Sequence, residues 1–196
     1  MFRVTIGNRK LGSICSINLP ALITCREDAP CKKICYANKG HFKYPCVSNL
    51  YAENLRSFNE DSKQAELDIL KQLPSEGFCR VHASGDILNK EYLNMLINIA
   101  KKSKKVKFMC FTKKYELINE YLDEGNKLPT NLKMVFSGWL GLNMINPHNL
   151  PTAYIVLKVG HDDRIKKSAL SCSGACYQCF ACWNIKKGQQ VLFKQH

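Results

Sequence analysis

Seven of the 11 cysteines in this chain of 196 residues fall in two short stretches: Cys25, Cys31 and Cys35, then Cys172, Cys176, Cys179 and Cys182. That crowding constrains the fold more than any other feature. A disulfide framework usually joins cysteines distant in sequence, whereas one metal ion or cluster gathers its thiolates within a few ångströms and needs them close together on a loop. The odd total also argues against complete pairing. The chain reads as a cysteine-ligated metalloprotein of a reducing, cytoplasmic compartment.

The first group has the form Cys25-x5-Cys31-x3-Cys35, followed by Tyr36. Three thiolates suit a 4Fe-4S cubane with one iron left open to a substrate or cofactor, by the logic that separates catalytic from structural zinc. Cys15 or Cys46 as a fourth ligand would close that site instead. The second group, Cys172-x3-Cys176-x2-Cys179-x2-Cys182, has the spacings of the bacterial ferredoxin run in reverse order, without the trailing proline. Structural zinc usually takes two Cys-x2-Cys pairs a dozen or more residues apart. Four ligands within residues 172–182 wrap one cubane more easily. The expected cofactor is one or two iron–sulfur clusters, with zinc as the alternative. Cys79 and Cys110 sit inside apolar runs and read as small buried residues. His82, alone at a strand end, reads as a hydrogen-bonded core histidine.

Around these groups the pattern is α/β, with no repeat or linker. Phe2, Val4 and Ile6 alternate, Gly7-Asn8 suits a turn, and Leu11–Ile14 suits a return strand. A cysteine-bearing loop follows over residues 18–46, kept irregular by Pro20, Pro30, Gly40 and Pro45. Val47, Leu50, Tyr51, Leu55 and Phe58 recur at helical spacing, and a second helix is expected over Lys63–Leu73. Strands are expected at Phe78–Ala83, Val106–Thr112, Leu132–Ser137, Tyr154–Val159 and Gln190–Phe193. Between them lie a helix at Lys90–Lys102 capped by Asn89, and one at Tyr115–Glu124 stopped by Gly125. The stretch Gly138–Thr152 has no helical pattern. The fold class expected is α/β, a partial, mostly parallel β/α barrel-like sheet in a single domain over residues 1–196, with the α/β core at 47–160 and a cysteine-rich tail at 161–196. Polar residues collect where the strands end: His82, Ser84 and Asp86, then Thr112 and Lys113, then Ser137, then Lys158, His161 and Asp162. In parallel sheets those ends line the ligand site.

The net charge of +13 favours a polyanionic partner, nucleic acid first. The densest basic run is Lys101, Lys102, Lys104, Lys105 and Lys107, and a solvated basic face accounts for it equally well, since no aromatic stacking motif of an RNA-binding sheet accompanies it. No apolar run has the length of a membrane span. The apolar stretch Leu11–Ile23 contains Ser13, Ser16, Asn18 and Pro20 and reads as folded protein, not a signal peptide. Oligomeric state leaves no mark in the sequence.

The segments CYANKGHFKYPCVSNLYAENLRSF (35–58), RVHASGDILNKEYLNMLINIAKK (80–102), KFMCFTKK (107–114), CSGACYQCFACW (172–183) and FKQH (193–196) resemble the phage "gene product 88" family in the family's order. A looser similarity is to radical S-adenosylmethionine enzymes. Those carry three cysteines on a loop after the first barrel strand and an acidic, Gly-containing turn after the second. By that similarity Cys25, Cys31 and Cys35 hold the cluster. Ser84-Gly85-Asp86 is the turn that binds the methionyl amine. Thr112, Lys113, Ser137 and Lys158 line the adenosine or substrate side. Cys172–Cys182 hold an auxiliary cluster, and an electron donor is needed. The chain departs from that pattern in cysteine spacing, five then three in place of three then two, and in carrying Asp86 where glutamate is usual. The rival expectation is a non-catalytic iron–sulfur or zinc protein that binds nucleic acid or a protein partner.

Overall fold

Apolar runs become the strands of one sheet. In the computed structural model, which describes residues 1–156 and 162–194, these are β1 (Thr5–Asn8), β2 (Gly12–Ile17), β3 (Gly77–Val81), β4 (Val106–Thr112), β5 (Leu132–Ser137), β6 (Thr152–Val156), β7 (Leu170–Ser171) and β8 (Gln190–Lys194). Their spatial order is β1-β2-β3-β4-β5-β6-β8-β7. β1 runs antiparallel to β2, and every other neighbouring pair is parallel. The crossovers from β2 to β5 carry α1 (Pro45–Glu60), α2 (Ser62–Gln72), α3 (Lys90–Lys102) and α4 (Tyr115–Asp123). Two single turns, α5 (Cys176–Cys179) and α6 (Ala181–Asn184), lead into β8.

The mostly parallel α/β sheet matches the sequence reading, and α3, β4 and β5 match its boundaries. Asn89 caps α3 as expected, its side chain accepting from the Tyr92 amide at 2.9 Å. The barrel-like closure does not appear among the described residues. Closing the sheet would join β1, which runs against its neighbour, to a two-residue β7, too short a ladder to hold. The first hairpin turns later than expected. β1 continues through Asn8, whose Oδ1 accepts the amides of Lys10 and Leu11 at 2.9 and 2.8 Å and so builds the turn there. Phe2 precedes the strand and is buried. The stretch from Leu11 builds β2. β6 starts at Thr152 rather than Tyr154, and the expected Leu157–Val159 portion lies outside the described residues.

The two faces of the sheet are covered differently. Cys79 and Val81 of β3, with Val106, Phe108 and Cys110 of β4, join α1 to α4 in the main core. The alternate residues Phe78 and Met109 face the other way and meet the C-terminal segment. There Trp183 is buried, its Nε1 donating to the Cys79 carbonyl at 3.0 Å. Phe78 stacks on Phe180 at 4.4 Å. Among the described residues no helix is long and apolar enough to cross a membrane.

Candidate functional site

The chain leaves β2 through Asn18, which ties the ends of two strands together. Its Oδ1 accepts the amides of Ala83 at 2.6 Å and Ser84 at 3.2 Å, while the Leu19 amide donates to the Ser84 carbonyl at 3.1 Å. Gly85 has φ +88°, and a Cβ there would stand 2.7 Å from the Leu19 carbonyl oxygen, so only glycine fits the turn. Next, Asp86 clamps β3 to β4. Its Oδ1 accepts the Ile87 amide at 2.7 Å and its Oδ2 the Lys113 amide at 2.9 Å, and the Asp86 amide donates to Thr24 Oγ1 at 3.1 Å. Burial raises the Asp86 pKa, against the opposing hydrogen bonds from Thr112 and the Lys113 amide.

These turns open on a cavity of about 400 Å³, within the usual range for small-molecule sites. Cys25, Cys31 and Cys35 line it. So do Ser84, Gly85, Asp86, Thr112, Lys113 and Ser137, the candidates drawn from three strand ends. Lys113 Nζ donates to Ser137 Oγ at 3.0 Å. Lys158 and His161 lie outside the described residues. Neither Cys15 nor Cys46 lines the cavity. Cys15 is buried beside Cys79 in the helix-side core, and Cys46 is exposed in the first turn of α1.

The cysteine loop is irregular but anchored. Short 3-10 turns at Pro30–Ile34, Tyr36–Asn38 and Gly40–Lys43 carry it across the strand ends. Arg26 pairs with Asp28 at 2.5 Å and with both oxygens of Glu116 at 2.7 Å, while the Tyr36 hydroxyl donates to the Ala83 carbonyl at 2.8 Å. Burial pushes the Cys25 thiol up to about 11, with Asp86 and the other two thiols adding to the shift. Burial also raises Cys35, while Lys113 pulls it down. Thiols held neutral in this way release protons when a metal binds. Among the described residues no three His, Cys, Asp or Glu side chains converge tightly enough to grip a single ion. The three cysteines share a wall of one cavity rather than a focus.

The second group lies over the other face of the sheet. The Cys172 amide donates to the Leu192 carbonyl, and the Cys176 amide to the Lys10 carbonyl, both at 2.8 Å. Cys176 and Cys182 pack on Leu11, Ile14, Met109 and Trp183, and Cys172 and Cys182 pack on Val135, Ile185 and Val191. Cys179 is exposed. Burial pushes Cys182 up to about 12, with the neighbouring thiols adding to it. None of the four lines the cavity. Arg80 does, and its charge also bears on Cys176 and Cys182, so it lies between the two cysteine regions.

Arg80 is one of several lining residues outside the sequence's site candidates, with Arg9, Lys10, Phe111, Phe193 and Lys194, and the strand-end His82 lines the cavity as well. Arg80 donates from Nε to the His82 carbonyl at 3.0 Å and lies over the Phe111 ring at 5.4 Å. The available signal was a charged residue at an alternate position of an apolar strand. His82 is buried and shares a 3.0 Å hydrogen bond between Nε2 and the Tyr92 hydroxyl, as the core reading expected. Burial and Arg80 push its pKa down to about 3, so the ring is neutral. Its Nδ1 has no hydrogen-bond partner among the described residues. The lysine run is at the far end of the molecule, where α3 ends and β4 begins, with Lys102 paired to Glu66 at 2.6 Å.

A model of the family described as Gene product 88 matches residues 3–140. No curated protein and no solved structure matches the chain.

Proposed function

From a chain that belongs to the gene product 88 family, a family named for its gene and not for a reaction, we propose a small phage-type iron–sulfur enzyme that resembles the radical S-adenosylmethionine class. The observation that supports this reading is the shared cavity, lined both by three loop cysteines and by the polar residues that end β3, β4 and β5. Cys25, Cys31 and Cys35 would hold a 4Fe-4S cluster with one iron free of cysteine. Such a group supplies an electron and an attachment point for reductive cleavage of a sulfonium C–S bond.

The chain's own residues do the holding. An ionised carboxylate offers about four acceptor positions. The amides of Ile87 and Lys113 occupy two on Asp86, which leaves acceptor capacity for a ligand amine. Ser84 stands beside it in the same lining. Lys113, steadied by Ser137, places a cation on the adenosine or substrate side. Trp139 and Tyr154 give the cavity apolar walls that exclude water from a reactive centre. Cys172, Cys176 and Cys182, packed against an apolar face, favour with the exposed Cys179 a closed cluster or a zinc staple there, with an external electron donor serving the first site.

The test is the iron, zinc and acid-labile sulfide content of protein purified without oxygen, followed by equilibrium binding of S-adenosylmethionine. Near-equal iron and sulfide, about four or about eight of each per chain, is expected for one or two cubanes. Zinc without sulfide overturns the reading.

A further inference from the structure

The cavity lining has a marked charge imbalance. Its carboxylate is Asp86, already held by backbone amides, whereas Arg9, Lys10, Arg80, Lys113 and Lys194 all line it as cations. Among the described residues none of these five is in an ion pair with a carboxylate. Three of them face cysteines or the clamp. Arg80 and Lys10 bear on Cys176, and Lys113 bears on Cys35 and Asp86. Thiolates of a bound cluster would offset those three. Arg9 and Lys194 are exposed as well as cavity-lining, so they sit on its rim, where the cysteines do not account for them.

Beside that rim is an aromatic pair. The rings of Phe111 and Phe193 meet edge to face at 5.4 Å, with Arg80 over the first at 5.4 Å and Lys10 over the second at 4.8 Å. Both rings are only partly buried, and both line the cavity. Cations interleaved with aromatic faces are how proteins hold single-stranded nucleic acid, the cations tracking phosphates and the rings receiving bases. A free acidic metabolite would account for the cations but not for the aromatic pair or for the +13 charge of the whole chain.

We infer that the substrate of this cavity is a single-stranded polynucleotide, its phosphates on the Arg9 and Lys194 rim and one nucleotide turned inward past Phe111 and Phe193. This rests on the enzyme reading for the word substrate, but the binding itself does not need the cluster. The lysine run at the far end of β4 plays no part in it.

The test measures fluorescence anisotropy of a labelled single-stranded RNA of about 12 nucleotides, a length within the site sizes of single-strand binders, on the full chain purified without oxygen. Wild type is compared with the double variant Arg9→Glu/Lys194→Glu and with Lys101→Glu/Lys105→Glu, which makes the same charge change at the far end. The rim variant is expected to weaken binding at least tenfold and to shallow the salt slope by about one or two, one per lost phosphate contact. The far-end variant is expected to change affinity less than about threefold after the loss of general attraction. Equal weakening by the two variants overturns the proposal, and so does AMP competing as well as the strand. Iron content and S-adenosylmethionine binding are read on the same samples. Strand binding without S-adenosylmethionine binding removes the enzyme reading and keeps the nucleic-acid site, and the reverse result does the opposite.

Discussion

Cys25, Cys31 and Cys35 sit on a loop of short 3-10 turns with one side on a cavity, while Cys172, Cys176 and Cys182 pack against the apolar face of the sheet. The loop is held at its ends by polar ties: Asn18 to the β3 exit, Arg26 to Glu116, Tyr36 to Ala83. The tail is held through its middle by buried rings, above all Trp183. Polar ties fix position while leaving sulfur free to meet a ligand, whereas packing against the apolar clusters holds the half-buried sulfurs of the tail in place. The difference suits an open site in the first region and a sealed one in the second.

The largest effect that this contrast implies is on stability. Trp183→Ala removes a buried indole and its hydrogen bond to the Cys79 carbonyl, and should cost about 3–5 kcal/mol in urea unfolding. A loss below about 1 kcal/mol would mean that the tail is an appendage, and the contrast would fail. Cys31→Ala tests the other region by composition. It should remove about four irons per chain and leave the C-terminal complement in place, since no C-terminal cysteine lines the cavity. Loss of all iron would show one site shared between the groups.

How much of this was legible depended on the range of the interaction. The boundaries of α3, β4 and β5 are local, set by apolar periodicity and by Asn89 at its cap, and they match. The gathering of Ser84, Asp86, Thr112, Lys113 and Ser137 at one end follows from the parallel β–α alternation alone. Other features needed tertiary knowledge. The place of β8 between β6 and β7 reverses chain order, and nothing local encodes it. Asn18 looks like any loop asparagine until it meets two amides about 65 residues away. Likewise, Arg80 becomes a cavity residue only once the face of β3 opposite Cys79 is known.

Acid should act through the cavity end before the tail. The His82 ring, with its pKa pushed from the ordinary 6.5 to about 3, stays neutral in the folded chain where an unfolded chain would protonate it. The unfolded state therefore binds more protons between those values. This contribution is full above about pH 6.5 and declines as pH falls toward about 3. His82→Gln does not titrate, so its urea midpoint should fall less steeply than that of wild type across that window. Parallel curves would place the acid-sensitive group elsewhere and remove His82 from the comparison.

The smallest expected effect decides whether the first site is open. Cys46 follows the loop closely enough in sequence to be a fourth ligand, yet it is exposed at the start of α1, and the cavity lining does not include it. Cys15 is no better placed, since it lies in the helix-side core beside Cys79. Cys46→Ala should leave iron, sulfide and S-adenosylmethionine binding as they are. It should move stability by no more than about 0.5 kcal/mol, as for surface positions without special contacts. Should that variant lose about four irons, Cys46 would be the fourth thiolate that encloses the cluster. Both regions would then be sealed, and the chain would be a two-cluster scaffold whose basic rim binds nucleic acid without chemistry.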